Sequence, residues 1–324
     1  MRNKKVVILY NKLSENPQPD ELDVLSQVEL VEENLLELGY EICKVQFSFN
    51  IEETIKQLKE IAPRFVFNLV ESIDNKGELC HIAPAILNCL QIPYSGVPME
   101  GMFVTTNKLL TKQILKSNGI PTADWMKLNE TEKINPSLRY ILKPIYEDGS
   151  LGLEFENVFY GNDKTYIEKL KLSDGNKFFI EEYIDGREFN ISVLGGKSGP
   201  EVLPHAEMQF FNFPEGKPKI MCYSAKWVED TFEHDQTRRT FSISEDDKGL
   251  INKLTYICLQ CWKVFDLRGY ARIDFRVDKD NNPYVLEVNA NPCLSPGSGL
   301  YAASEQKGYS FKQVVERVIE DILM

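Results

Sequence analysis

The fold is decided by two short stretches of the chain, Ala271-Arg272-Ile273-Asp274-Phe275 and Leu286-Glu287-Val288-Asn289. Both stretches alternate apolar and polar residues, which is typical of β-strands with one buried face. A tight turn at Asp280-Asn281 would join them into an antiparallel hairpin. We therefore predict a two-stranded element whose polar side chains lie on one face.

The polar face of this hairpin predicts a metal site. A turn at that point would place Asp274 opposite Glu287 and Arg272 opposite Asn289. Carboxylate and amide oxygens suit Mg²⁺, which usually completes its octahedron with water and nucleotide phosphate. The guanidinium beside them could stabilise a developing oxyanion or a transferred phosphoryl group. The solvated outer face of a half-buried sheet is the alternative interpretation of the same pattern.

Three lysines stand where a phosphate could be bound: Lys108 at the start of a helix, Lys143 at the end of a strand, and Lys226 after a small residue. Lys143 precedes the loop 148–152, whose two glycines allow backbone N–H groups to approach phosphate oxygens closely. An ordinary hairpin turn would also explain this loop. The segment 181–188 places carboxylates on a predicted strand, where they could contribute to a binding site. A charged strand edge without a binding role is the alternative interpretation.

The composition is that of an ordinary globular protein. The 324 residues are 43% hydrophobic and 27% charged, and this length suggests two or three compact units. Aspartate and glutamate number 49 against 37 lysines and arginines, which gives a formal net charge of −12. Because an acidic surface repels phosphate backbones, we expect no nucleic-acid partner, whereas local lysines could still bind ATP.

We predict a cytoplasmic protein without a membrane partner. The seven cysteines are irregularly spaced, which indicates reduced intracellular thiols rather than a disulfide framework. The N-terminus lacks the apolar core of a signal peptide. The uncharged stretch 79–99 is interrupted by three prolines, so it does not predict a membrane-spanning helix.

The N-terminal part predicts a small α/β unit. Strands are expected at Val6–Leu9, Ile42–Phe47 and Arg64–Leu69, separated by helices at 24–38 and Ile51–Ile61. This order predicts a doubly wound parallel sheet. The lack of a G-x-G-x-x-G motif after the first strand disfavours a dinucleotide cofactor.

A larger part with helices and antiparallel strands follows. We expect a helix capped by Thr106 and ending at Asn118-Gly119, a helix at Lys248–Phe265, and a last helix with a capping box at Ser310 and Gln313. The further predicted strands are Tyr140–Lys143, Phe178–Tyr183, Asn190–Leu194, Glu201–Met208, Ala271–Val277 and Tyr284–Asn289.

Together these features resemble the ATP-grasp superfamily, and within it the D-alanine–D-alanine ligase branch. Besides the hairpin, the most specific motifs are Asn107-Lys108-Leu109-Leu110-Thr111-Lys112, Gly119-Ile120-Pro121-Thr122, Leu142-Lys143-Pro144, Ile180-Glu181-Glu182-Tyr183-Ile184 and Glu188-Phe189. The resemblance implies an α/β, Rossmann-like pre-ATP-grasp domain at 1–100. It also implies a two-lobed α+β ATP-grasp fold, with a small central lobe at 101–184 and a large C-terminal lobe at 185–324.

The resemblance also implies roles for individual residues. The residues implied to bind ATP are Lys108, Lys143 and Lys226 at the phosphates, Gly149 and Ser150 in a flexible loop that closes over them, Glu181, Glu182 and Ile184 at the adenine, and Glu188 at the ribose. The implied metal ligands, for two Mg²⁺ ions or alternatively Mn²⁺, are Asp274, Glu287 and Asn289. The implied catalytic side chains are Arg272, Lys226 and Ser150.

Enzymes of this branch phosphorylate a carboxylate with release of ADP, and an amine then attacks the acyl phosphate to leave an amide. The resemblance therefore implies an acid–amino-acid ligase of the EC 6.3 type. Its partners would be a small-molecule carboxylate and a small-molecule amine, such as an amino acid or peptide. Members of the branch are often homodimers.

The residues expected at the substrates depart from the branch. Glu21 is interpreted as the counterpart of the family's substrate-binding glutamate, although two neighbouring aspartates are also available. Glu71 lies where the family has a His-Gly pair, and Cys293 stands where it has an oxyanion-hole glycine, whereas Ser298 matches its carboxylate-binding serine. We therefore expect a substrate other than D-alanine. A carboxylate–thiol ligase and a non-catalytic nucleotide-binding protein are the alternatives.

Overall fold

The computed structural model describes residues 3–146, 149 and 151–322. Its strands are β1 (Lys5–Asn11), β2 (Glu41–Phe47), β3 (Phe65–Leu69), β4 (Trp125–Lys127), β5 (Arg139–Pro144), β6 (Val158–Tyr160), β7 (Phe178–Glu182), β8 (Arg187–Leu194), β9 (Glu201–Val202), β10 (Ala206–Phe210), β11 (Thr237–Thr240), β12 (Tyr270–Val277) and β13 (Pro283–Ala290). Its α-helices are α1 (Pro19–Glu37), α2 (Ile51–Ile61), α3 (Ile82–Leu90), α4 (Met99–Thr106), α5 (Lys108–Ser117), α6 (Lys164–Leu170), α7 (Tyr223–Trp227), α8 (Phe232–Asp235), α9 (Lys248–Val264), α10 (Gly299–Lys307) and α11 (Phe311–Ile322).

The first sheet is the predicted parallel one. Its strand order is β2-β1-β3, and both pairs are parallel. The central strand β1 is apolar on both faces, as a parallel strand covered by helices on both sides must be. Val6 and Ile8 pack in one core with residues of α1 and α11, and Val7 and Leu9 pack in another with residues of α2 and α3. The predicted doubly wound unit is confirmed.

Two further sheets make up the rest of the fold. A four-stranded antiparallel sheet has the order β4-β7-β5-β6, and a six-stranded sheet has the order β11-β10-β8-β12-β13 with β9 beside β8. Helices α4 and α5 pack against β13 of the larger sheet, and α11 packs against α1 of the N-terminal unit. The boundaries at 1–100, 101–184 and 185–324 stay predictions.

Two predicted elements differ from the structure. Thr106 is the last residue of α4, where its hydroxyl donates to the carbonyl of Met102 at 2.7 Å, so it does not cap α5. The cap is Asn107, whose side chain accepts from the backbone N–H of Leu109 and Leu110. The strand predicted at Glu201–Met208 is divided into β9 and β10 around Pro204, because proline has no N–H to give to a sheet.

No helix among the residues that the structure describes is long and apolar enough to cross a membrane.

His205, in the connection between β9 and β10, predicts a pH-dependent stability. Its Nε2 lies 3.0 Å from the hydroxyl of Thr255, and burial lowers the pKa of His205 to about 4 from an ordinary value of 6.5. Between these two values the unfolded chain binds a proton that the folded chain does not. We therefore expect the free energy of unfolding to decrease by about 2–3 kcal/mol as the pH falls through this window.

Urea unfolding at pH 7 and at pH 4.5 measures this effect in the wild type and in His205→Gln. The variant should lose less stability between the two pH values, while the contribution of the carboxylates stays common to both proteins. An identical pH dependence in the two proteins would show that His205 does not carry it.

Candidate active site

A cavity of about 600 Å³ lies between the four-stranded and six-stranded sheets, and we call it the first cavity. The described residues predicted to bind ATP line it: Lys108, Lys143, Gly149, Glu181, Glu182, Ile184, Glu188 and Lys226. The same cavity is also lined by residues predicted for catalysis, metal and substrate: Arg272, Asp274, Glu287, Cys293 and Ser298. Ser150, predicted as a catalytic loop residue, and its neighbour Asp148 lie outside the described residues.

A second cavity, of about 490 Å³, adjoins the first on the side of the N-terminal unit. It is lined by Glu21 and Glu71 from that unit and by Asn289 from β13. Cys293 and Arg272 line both cavities, so the two spaces meet at these side chains. The structure thus brings the residues predicted for ATP, metal and substrate together around one connected space.

The hairpin of β12 and β13 has the predicted register at its polar face. Asp274 pairs with Glu287, and Arg272 pairs with Asn289. The guanidinium of Arg272 donates to both carboxylate oxygens of Asp274 at 2.8 Å, and the amide of Asn289 donates to Asp274 Oδ2 at 3.1 Å. Nζ of Lys108 lies 3.5 Å from Glu287 Oε2. Two carboxylates, an amide and two cations therefore share this corner of the cavity.

The charges around the hairpin act differently on its two carboxyl groups. Burial raises the pKa of Asp274, an effect that Arg272 opposes. Burial would also raise the pKa of Glu287, but Lys108, Lys143 and Arg272 outweigh it and lower the pKa to about 2. Glu287 is therefore a carboxylate at neutral pH, ready to bind a cation.

The donor set of the hairpin fits a hard divalent cation. Asp274, Glu287 and Asn289 offer three oxygen-bearing side chains on one surface, and Mg²⁺ prefers oxygen ligands. No group of three or more His, Cys, Asp or Glu side chains suited to a metal occurs within the described part of the chain. Mg²⁺ bound at the hairpin would therefore depend on water and phosphate oxygens for its other ligands, as it commonly does in nucleotide sites.

A buried ion cluster fixes Lys143 at the wall of the first cavity. The carboxylate of Glu181 binds Lys143 at 3.1 Å and also forms an ion pair with Lys112. Lys112 is fully buried and donates to the hydroxyl of Thr122 at 2.7 Å and to the carbonyl of Ala123 at 3.1 Å. Burial would raise the pKa of Glu181, but the two lysines outweigh it and lower the pKa.

This cluster predicts a large loss of stability in Glu181→Ala. The substitution would leave two buried or nearly buried lysines without their shared anion, which typically costs about 3–5 kcal/mol. We expect a decrease of that size in the free energy of unfolding, measured by urea denaturation.

The matched control is Asp124→Ala, which removes the carboxylate of the exposed Lys116–Asp124 pair in the same region. Solvent screens that pair, so its loss should leave the unfolding midpoint almost unchanged. Equal midpoints for Glu181→Ala and the wild type would mean that the cluster contributes nothing to stability.

Glu188 is held by an arginine that the sequence motifs did not single out. Arg276 lies beside Glu188 at 3.2 Å and donates to the carbonyls of Ile184 at 2.9 Å and Lys219 at 2.7 Å. Burial raises the pKa of Glu188, an effect that Arg276 opposes. Arg276 therefore ties Glu188 to the Ile184 segment, so that two residues predicted to bind ATP are positioned together.

Lys226 lies at the end of α7, where its side chain is accessible from both cavities. Desolvation, followed by the nearby Arg272, lowers the pKa of Lys226. The next residue, Trp227, donates its indole N–H to the carbonyl of Gly149 at 2.9 Å. The Gly149 backbone is thereby fixed beside the Lys226 ammonium.

The segment after β13 connects the N-terminal unit to the site. Asp23 accepts from the Cys293 thiol at 2.8 Å and from the Ser295 hydroxyl at 3.1 Å. Burial raises the pKa of Cys293, and Glu71 and Asp23 add to that effect, so the thiol stays protonated. Of the three acidic residues on α1 considered for the substrate, Asp23 thus contacts the Cys293 segment, whereas Glu21 accepts from Ser14.

Ser298 stands at the start of α10. Its hydroxyl accepts from the backbone N–H of Tyr301 at 3.3 Å, which makes it the N-cap of that helix. The Arg272 side chain passes close to the next residue, since a Cβ on Gly299 would lie 3.3 Å from Arg272 Cδ. Ser298 and Arg272 therefore bound the same part of the first cavity.

Comparison with known proteins identifies the class of protein. The model of the family described as "D-ala D-ala ligase C-terminus" matches residues 114–320. A D-alanine–D-alanine ligase of Carboxydothermus hydrogenoformans is 30% identical over 297 residues, which cover 88% of each chain. One from Aquifex aeolicus is 30% identical over 291 residues, covering 88% of this chain and 90% of the relative.

A solved structure shows the same fold. The D-alanine–D-alanine ligase of Bacillus anthracis complexed with ATP superposes with a TM-score of 0.73 at 22% identity, covering 99% of this chain and 97% of that one. The chain has the ATP-grasp fold. It belongs to the D-alanine–D-alanine ligase family.

Proposed function

We propose that this protein is an ATP-dependent carboxylate–amine ligase that forms an amide bond through an acyl phosphate. The observation that carries the proposal is the convergence of three lysines with the carboxylates of the hairpin around one cavity. Lys108, Lys143 and Lys226 line it together with Asp274 and Glu287. Family membership supports ATP as the nucleotide and a small amino acid or similar molecule as substrate.

The proposed reaction has two steps. An oxygen of the substrate carboxylate attacks the γ-phosphorus of ATP, and the bond from that phosphorus to the bridging oxygen of ADP breaks. The amine nitrogen then attacks the acyl carbon and loses a proton, and inorganic phosphate leaves with the former carboxylate oxygen. The products are an amide, ADP and phosphate.

The residues of the first cavity fit the charge changes of these steps. The carboxylate and ATP are both anions and repel one another, so cations must offset the repulsion and align the reacting atoms. We assign Lys108 and Lys143 to the phosphates, Lys226 to the transferred phosphoryl group, and Arg272 to the oxyanion that forms at the acyl carbon. Mg²⁺, held by the hairpin side chains, would neutralise phosphate charge.

We propose a substrate pair other than two molecules of D-alanine. Cys293 lines both cavities, and its side chain occupies space where a glycine would leave room. Its thiol is bound to Asp23, and Glu71 accepts from Gln27 at 2.9 Å at the wall of the second cavity.

The test is ATP turnover with Mg²⁺ and pooled D- and L-amino acids, short peptides and other carboxylic acids, with hydroxylamine present. Hydroxylamine traps any acyl phosphate as a hydroxamate, so the acid substrate is found even when its amine partner is unknown. We expect ADP and a hydroxamate mass in the wild type, and at least about a hundredfold less of both in Asp274→Asn. Without hydroxylamine, an amide mass names the amine.

Other outcomes would decide against the proposal. With thiols added to the pool and hydroxylamine omitted, a thioester as the only condensed product would establish the thiol ligase. Nucleotide binding without ADP or hydroxamate from any acid in the pool would support a non-catalytic nucleotide-binding protein.

A further inference from the structure

One wall of the first cavity has polar groups that the proposed reaction does not use. Thr237 and Arg239 lie two residues apart on β11, so their side chains share a face of the sheet, and both line the cavity. The hydroxyl oxygen of Thr237 and Nε of Arg239 are buried and have no hydrogen-bond partner within the described residues. Such groups typically cost about 1–3 kcal/mol each unless a ligand supplies the partner.

Arg239 differs from the other arginines of this cavity. Arg272 is paired with Asp274, and Arg276 is paired with Glu188. For Arg239, no carboxylate of the described chain lies within ion-pair distance, and its Nη1 instead donates to the carbonyls of Gly297 at 2.9 Å and Ser298 at 3.3 Å. A partly buried cation with only neutral partners favours an anion from outside the chain.

The position of Arg239 points to a substrate rather than to the nucleotide. The backbone that it contacts runs directly into the start of α10, and Arg272 lies against the same turn at Gly299. Ser298 lies between them, so two guanidinium groups and a helix N-terminus surround this corner. The lysines assigned to the phosphates, Lys108 and Lys143, lie on other elements, α5 and β5, where their carboxylate partners are Glu287 and Glu181.

The second cavity has acidic side chains that do not line the first. Asp20, Glu21 and Glu71 line the second cavity and not the first, whereas Arg239 lines the first and not the second. An anionic group would be repelled from the acidic end and attracted to the Arg239 corner. A substrate lying between the two ends would direct its amino group towards the acidic residues and its anionic groups towards Arg239.

We propose that the amine substrate is a dicarboxylic amino acid, or another amine bearing two carboxylates, and that Arg239 binds the second carboxylate. The first carboxylate would lie at Ser298 and Arg272. The second would accept from the Arg239 guanidinium, with the hydroxyl of Thr237 as a further donor on the same face. This inference rests on the proposed ligase function and specifies the amine of that reaction.

The test compares amines of matched shape once the hydroxylamine assay has identified the acid substrate. The panel contains D- and L-aspartate against D- and L-asparagine, and D- and L-glutamate against D- and L-glutamine. For at least one pair, kcat/KM for the dicarboxylic amine should exceed that of its amide by about tenfold or more. In Arg239→Met, KM for that amine should rise by about 10- to 100-fold, while KM for ATP stays unchanged.

Two further variants keep the test decisive. Arg238→Met removes the neighbouring arginine, whose side chain is exposed, and should behave as the wild type. Arg239→Lys keeps the positive charge and should retain part of the preference for the dicarboxylic amine. If Arg239→Met fails to fold, the measurement is the preference for the dicarboxylic amine in Arg239→Lys and in Thr237→Val, which should be reduced in both but not abolished in Arg239→Lys.

Several results would overturn the inference. Equal kcat/KM for the dicarboxylic amines and their amides would contradict the inference. A rise in KM for ATP alone in Arg239→Met would also contradict it. If a hydroxamate forms but no dicarboxylic amine reacts, the inference fails while the ligase function stands. If no acid yields ADP or hydroxamate, the proposed function fails and the inference fails with it.

Discussion

Replacing Asp274 by asparagine should lower ATP turnover by at least about a hundredfold. The substitution removes one of the two carboxylates proposed to hold Mg²⁺, and a metal that neutralises phosphate charge typically supplies several kcal/mol of transition-state stabilisation. It also leaves Arg272 with a neutral partner that can accept only one of the two hydrogen bonds now made to Asp274. The measurement is ADP formation at saturating ATP over a range of Mg²⁺ concentrations.

The metal assignment predicts a further feature of this variant. Higher Mg²⁺ should restore part of the activity, because the remaining ligands bind the ion more weakly but still bind it. Asp280→Asn provides the matched control, since Asp280 lies in the exposed turn of the same hairpin and should keep wild-type turnover. Wild-type turnover in Asp274→Asn would contradict the metal site.

Replacing Lys226 by methionine should lower kcat by about 10²–10³-fold. Removing one preorganised donor from a developing charge typically has an effect of this size. Lys226 lines both cavities and lies beside Gly149, so we expect it to act on the group in transfer rather than to hold ATP in the ground state. KM for ATP should therefore change much less than kcat.

Steady-state kinetics on Lys226→Met and Lys219→Met separate this role from a general effect of charge. Lys219 is an exposed lysine on the preceding segment, and the first cavity is not lined by it. The control variant should keep both constants. A large rise in KM for ATP with unchanged kcat in Lys226→Met would assign Lys226 to nucleotide binding alone.

The sequence predicted which polar side chains of the hairpin lie together, because that arrangement depends on residues close to one another in the chain. Alternation fixed which residues share a face. The tight turn predicted at Asp280-Asn281 was wrong, because the loop spans 278–282 with Val277 opposite Pro283, and Asp274 lies opposite Glu287 only because the register shifts between Asp274 and Phe275. The pairing of the two strands between Asp274 and the turn was not predictable in this way. There the register shifts by one residue, with Phe275 opposite Val285. Such a bulge depends on how both strands pack in the sheet.

The cap of α5 shows the limit of local patterns at helix ends. Thr106 and Asn107 are both good capping residues, and the sequence alone could not choose between them. The structure places Thr106 within the preceding helix α4, which has one acidic residue in its first turn and few periodic apolar residues. That helix is stabilised by packing against β13 rather than by its own pattern.

The supporting charges of the site were the least predictable part. Lys112, Arg276 and Arg239 have partners on distant elements: Glu181 on β7, Glu188 on β8, and the backbone at Gly297. Only the assembled fold shows that two of these cations are paired with carboxylates and the third is not. Among the three, only Lys112 could have been singled out from the sequence. It lies one turn after Lys108 on α5, which places the two lysines on the same face of the helix.

The most direct test of the proposed ligase is oxygen transfer from the acid substrate to phosphate. The acid identified by hydroxylamine trapping is labelled with ¹⁸O in its carboxylate, and the phosphate released during amide formation is analysed by mass spectrometry. The acyl phosphate route predicts one ¹⁸O atom in each phosphate formed with product. Unlabelled phosphate alongside a labelled amide would show that the carboxylate is not phosphorylated and would contradict the account.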